Sequence, residues 1–141
     1  MKPTCVSKKA IEALNKFFGP RRIIVVTTTE AACQKFLQFG PNVECLVETD
    51  LLPGVTKKSI GSFLGRTYGT SSNEVFKGRD LSGWYLQQFL KMGASLYIPD
   101  LSVYHVVWDL DMILLKELNI FHSSYDHGLQ TVMNVGGNTT V

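Results

Sequence analysis

Two aspartates, Asp109 and Asp111, are the residues of this 141-residue chain whose type and spacing best suit chemistry. They interrupt an apolar run, with Val103-Tyr104-His105-Val106-Val107-Trp108 before them and Met112-Ile113-Leu114-Leu115 after them. A carboxylate pair is costly to bury unless it is protonated, paired or bound to a cation. At the mouth of a buried strand the two would face the same side, roughly 7 Å apart at Cα, with Leu110 on the other side. That spacing suits a magnesium or manganese ion, which keeps several waters and takes its remaining oxygens from substrate phosphates. The plainer reading is two acidic residues capping a strand end.

The elements that must position this pair follow from the patterning. Ser7 is expected to cap a helix with Ile11, Leu14 and Phe18 at helical spacing, stopped by Gly19-Pro20. Residues 22–28 are β-branched and continuous, as in a buried parallel strand. Thr29 starts a second helix with Ala32, Cys33, Phe36 and Leu37 inward, and residues 43–48 form the next strand. Thr56 opens a short helix carrying Ile60, Phe63 and Leu64. Residues 65–80 are rich in turn formers and read as a mobile loop. Ser82 is expected to cap a helix over 83–92 that Gly93 ends. Short strands are expected at 95–98 and 103–108, a polar turn-like stretch at 116–128, and a last strand at 131–135. Alternating helix and strand signals argue for an α/β fold with a mainly parallel sheet flanked by helices. Such a domain normally opens on a strand and closes on a helix, so 1–141 is expected to be one domain, incomplete at both ends, of a larger catalytic unit.

Bulk properties narrow the function. A net charge of +2, from 14 basic and 12 acidic residues, is too small to imply nucleic-acid binding. The early cations Lys2, Lys8, Lys9, Lys16, Arg21 and Arg22 read as a solvated face. No apolar stretch approaches the ~18 residues of a membrane span. The polar, basic N-terminus lacks a secretory hydrophobic region, which favours a cytoplasmic location. Asn138-Thr139-Thr140 matches a glycosylation acceptor and would matter only if a parent protein entered a secretory lumen. Cys5, Cys33 and Cys45 are odd in number without a CxxC spacing, favouring core thiols over a disulfide or zinc site.

The run Trp108-Asp109-Leu110-Asp111-Met112-Ile113-Leu114-Leu115-Lys116 resembles the DxD segment of nucleotide-sugar glycosyltransferases of the GT-A fold. The stretch from Gly78 to Lys91, with Gly83-Trp84-Tyr85 at its centre, is similar to a helix upstream of the DxD in an uncharacterised glycosyltransferase-like group. Pro3-Thr4-Cys5 looks like the end of a first strand where such enzymes begin to cradle the nucleotide, and Gly136-Gly137 is in keeping with the family. The resemblance runs over most of the chain. It implies a GT-A-like, Rossmann-like sheet and a manganese- or magnesium-dependent transferase acting on a nucleotide-sugar, UDP-sugar being favoured, with an unknown acceptor. By motif position, Asp111 would be the main metal ligand, and Asp109 would share the metal or contact the ribose. Thr4 would lie against the nucleotide. Open α/β sheets also bind nucleotides beyond the carboxyl ends of their strands.

Other residues are weighed beside the pair. Arg79 precedes a helix N-terminus, which favours anions, and could reach the diphosphate or donor sugar as readily as it could be a surface arginine. Lys91 reads as a solvated charge, Trp84 and Tyr85 as core, Gln87 and Gln88 as exposed, and His105 as a core histidine. His122 and His127 receive no role, and Thr27, Thr28 and Thr29 read as strand end and helix cap. Two alternatives stand beside sugar transfer. One is a haloacid-dehalogenase-type phosphohydrolase, with Asp109 as nucleophile and Asp111 as general acid/base. The other is a non-catalytic nucleotide-binding module, since an acceptor site and general base are normally supplied by the second half of such an enzyme.

Overall fold

A computed structural model describes residues 3–69, 79–118, 121–124 and 128–131, the last two stretches as backbone. In chain order the elements are α1 (Cys5–Phe17), β1 (Ile23–Thr27), α2 (Glu30–Phe36), a 3-10 turn (Leu37–Phe39) and β2 (Val43–Val47). They continue with α3 (Glu48–Leu51), α4 (Lys57–Tyr68), α5 (Ser82–Tyr97), β3 (Phe121–Ser124) and β4 (Gly128–Thr131). The fold is mixed α/β. β1 and β2 pair in parallel, Ile23 opposite Val43 through Thr27 opposite Val47, and β3 and β4 form a separate antiparallel pair.

Strand alternation divides the apolar side chains between two clusters. Ile23 and Val25 join Ile11, Leu14, Phe36 and Val43 in the first, whereas Ile24, Val26 and Leu46 lean on the second, around Leu51, Leu52 and Ile98. The parallel pair therefore has apolar packing on both faces, as the continuous β-branched sequence of β1 requires. Arg22 clamps its leading edge. Its guanidinium donates twice to the Glu44 carboxylate, at 2.7 Å each, and once to the Asp100 carbonyl at 3.0 Å. This ties both strands to the turn that follows α5.

Helix starts follow local capping chemistry. The Thr4 hydroxyl accepts from Ser7 N at 3.1 Å, so the cap of α1 lies three residues before the expected one and Ser7 is buried inside the first turn. Gly19 ends α1 at φ +62°, a left-handed conformation that glycine adopts without penalty. Thr29 caps α2 by accepting from Ala32 N, as expected. Thr56 and Ser59 form a reciprocal capping box at the start of α4, which runs to Tyr68, well into the expected loop. Residues 70–78 of that loop lie outside the described residues.

Four further expectations are corrected. Residues 95–98 do not form a strand: α5 continues through Gly93 to Tyr97, because Gly93 is where the helix meets Leu52. A Cβ there would stand 3.1 Å from a Leu52 methyl, so the glycine permits close approach and does not stop the helix. Residues 103–108 are irregular, with Val103, Tyr104, Val106 and Val107 exposed and, among the described residues, no strand paired with them. The polar stretch after 116 contains β3, while 132–135 of the expected last strand lies outside the described residues. Finally, Cys33 and Cys45 form a disulfide, with Cα atoms 5.3 Å apart, joining α2 to β2; Cys5 is the free, exposed thiol.

Candidate functional site

The aspartate pair lies on a tight turn, not at a strand end. Met112 N donates to the Asp109 carbonyl at 3.0 Å, closing a four-residue β-turn with Leu110 and Asp111 at its centre. Trp108 Nε1 donates to the Met112 carbonyl at 2.9 Å and braces the same turn. Trp108, Leu110 and Leu114 all pack against the first core cluster. An irregular segment is thereby nailed to the core on both sides of the turn, with Leu110 inward, Asp109 half-buried and Asp111 exposed. The extended geometry expected from sequence is replaced by a turn: among the described residues no strand pairs with 103–108, whereas the apolar core offers Trp108 and Leu110 a surface to cover.

Asp109 has a partner that sequence reading assigned to solvent. Lys91 Nζ, from α5, lies 2.8 Å from Asp109 Oδ1. The ammonium and the carboxylate belong to elements 18 positions apart in sequence, so no local pattern reveals the pair. Among the described residues, no group of three or more His, Cys, Asp or Glu side chains could hold a metal ion. Asp109 and Asp111 are thus two carboxylates on one turn, the first of them already paired with an ammonium.

The remaining candidates disperse. Arg79 is exposed ahead of α5, and Lys91 is nine residues beyond Ser82, roughly 13 Å further along the helix axis. The N-terminus of α5 is already occupied by the chain's own anion. The Asp80 carboxylate accepts from Ser82 N at 3.0 Å and from the Ser82 hydroxyl, and pairs with Lys57 Nζ at 2.9 Å. These contacts, Ser82 first and Lys57 second, bring Asp80 down to a pKa of about 2. Thr4 is a helix cap on α1 and does not end a strand. His105 is exposed, not core, with its ring near the Ser102 carbonyl, and Trp84 is also exposed, stacked edge-on against Tyr85. His122 lies in β3 as backbone only, and His127, Gly136 and Gly137 lie outside the described residues.

Two open grooves flank these features. One, of about 370 Å³, runs between α4 and α5 and is lined by Ile60, Phe63, Tyr68, Tyr85 and Phe89. The other, of about 340 Å³, lies between α1 and Ile113–Leu115, with Lys9, Glu12 and Lys16 among its walls. Neither is lined by Asp109 or Asp111, although the second begins two residues after Asp111.

Sequence reading missed Lys91, Asp80 and the Cys33–Cys45 link. Only Asp80 left a local signal, an acidic side chain two residues ahead of a helical serine. Compared with protein-family profiles, with curated proteins and with solved structures, the chain gives no match in any of the three.

Proposed function

We propose that this chain binds a nucleotide-sugar, a UDP-sugar above others, through a divalent ion at Asp109 and Asp111, as the donor-binding part of a metal-dependent glycosyltransferase. The observation that carries the reading is the anchored turn: Trp108, Leu110 and Leu114 fix the backbone while both acidic side chains keep access to solvent. Manganese or magnesium, when bound, would act as a Lewis acid on the phosphate oxygens where charge builds as the nucleoside diphosphate departs. Asp111 supplies the main carboxylate and Asp109 the second, and the parallel β1–β2 pair with its helices is in keeping with a GT-A-like sheet. The Cys33–Cys45 link supports an oxidising compartment for this activity, where disulfides persist, in place of the cytoplasm expected from the N-terminus.

A thermal-shift panel of nucleoside diphosphates and sugar nucleotides, with and without manganese, tests this function. A ligand present at 100 times its dissociation constant stabilises by about 2.7 kcal/mol. The stabilisation should require manganese and should vanish in Asp111→Asn while the ligand-free melting temperature stays put.

A second reading draws on the Lys91–Asp109 pair, since an ammonium beside a carboxylate also suits a phosphoryl-accepting Asp109 with Asp111 as general acid/base. Magnesium-dependent turnover of an aryl phosphate, lost in Asp109→Asn, would favour that phosphohydrolase over the transferase.

A further inference from the structure

We propose that the exposed face of α5 is the interface of a homodimer, in which the same helix of a second copy packs against it antiparallel. Tyr85, Phe89, Met92 and Leu96 follow one another at spacings of four, three and four, the seam pattern of two packed helices. Leu86 and Gly93 turn to the chain's own core, but Phe89, Met92 and Leu96 are 41%, 63% and 78% exposed. Phe63 of α4, which lines the groove beside Tyr85 and Phe89, is 57% exposed, and Trp84 is 53% exposed. At about 200 Å² for each side chain when fully bared, these residues leave on the order of 600 Å² of apolar surface open. Homodimer interfaces are about two-thirds apolar, so that area corresponds to roughly 900 Å² per protomer, which is what a stable dimer buries. Charge favours a second copy over a foreign partner. Neither α4 nor α5 contains an acidic residue. Lys91, the one charge of α5, is taken by Asp109, and Lys57 by Asp80, while Lys58 and Arg66 are confined to α4. Gln88 and Ser95, which flank the stripe, are neutral. No charge on α5 therefore repels an identical face or selects an oppositely charged one. The stripe is also self-complementary, aromatic in its first half and aliphatic in its second. With a two-fold axis between residues 90 and 91, Phe89 meets Met92 of the second copy and Tyr85 meets its Leu96, each contact occurring twice. Methionine sulfur against an aromatic ring is a favourable contact in its own right.

Sedimentation velocity of the full chain over a range of concentrations tests this, in the wild type, Met92→Glu, Leu96→Glu, Leu37→Glu and Cys5→Ser. The wild type and Cys5→Ser should both sediment as dimers, since the exposed Cys5 thiol has no part in the interface. Met92→Glu places two carboxylates beside the two-fold axis and should raise the dimer dissociation constant at least about a hundredfold. Leu96→Glu should also dissociate the dimer, whereas Leu37→Glu, on the 3-10 turn after α2, should leave it intact. All three replaced apolar side chains are exposed in the single chain, so each variant should fold, which circular dichroism establishes. A wild type that is monomeric at every concentration overturns the proposal, and one that instead co-sediments with phosphatidylcholine vesicles assigns the face to a membrane. A dimer that persists in a folded Met92→Glu or Leu96→Glu, that is lost equally in Leu37→Glu, or that disappears in Cys5→Ser, also overturns it.

Discussion

Removing the Cys33–Cys45 link should lower the stability of this chain by a predictable amount. The two cysteines are 12 residues apart and join α2 to β2, so the bond closes a short loop in the unfolded chain. Chain-entropy scaling for a loop of that length gives about 3 kcal/mol. For a domain of this size such a loss corresponds to a fall in melting temperature of about 10 °C. The perturbation is the double variant Cys33→Ala/Cys45→Ala, compared with the wild type by calorimetry, with the wild type in a strong reductant as a second arm. Alanine avoids placing a hydroxyl at Cys33, which is 2% exposed. Thiol titration in denaturant without reductant should find one reactive thiol, Cys5, of the three cysteines. Three reactive thiols, or a double variant melting within a degree or two of the wild type, would refute the cross-link and remove the support for an oxidising compartment.

Two further perturbations probe the helices around the site. Gly65 sits inside α4 with open space where a Cβ would go, so Gly65→Ala should stabilise by about 0.5–1 kcal/mol in urea unfolding. Gly93→Ala should lose that benefit against Leu52 and come out less stable than Gly65→Ala by at least about 1 kcal/mol. Asp80 has its folded pKa depressed to about 2, so its contribution is present above the ordinary carboxylate range and fades as pH falls through about 2. Asp80→Asn should flatten the acid limb of the stability profile between pH 4 and 2, and an unchanged limb would show that the Ser82 and Lys57 contacts do not form in solution.

Much of the frame was legible because it is decided locally. Thr29 and Thr56 cap the helices they were expected to open, and the β-branched run at 23–27 suits a strand packed on both faces. The stretch from 93 to 108 was misread for a tertiary reason. Gly93 has the composition of a helix stop, yet Leu52 fills the space above it, and 103–108 has the composition of a strand without an edge to join. The aspartates themselves were visible, but their turn was not, because it is set by Trp108, Leu110 and Leu114 docking on a core assembled from α1, β1, α2 and β2. Lys91 and the disulfide are contacts between distant elements, and periodicity carries no information about such pairs.

The most direct measurement of the central claim is calorimetric titration of UDP into the full chain at saturating manganese, in chelator, and with Asp111→Asn. Saturable binding that is present only with manganese and lost in a folded Asp111→Asn is the expected result. Equal binding in manganese and chelator, or undiminished binding in Asp111→Asn, would contradict a metal-bridged diphosphate at the Asp109–Asp111 turn.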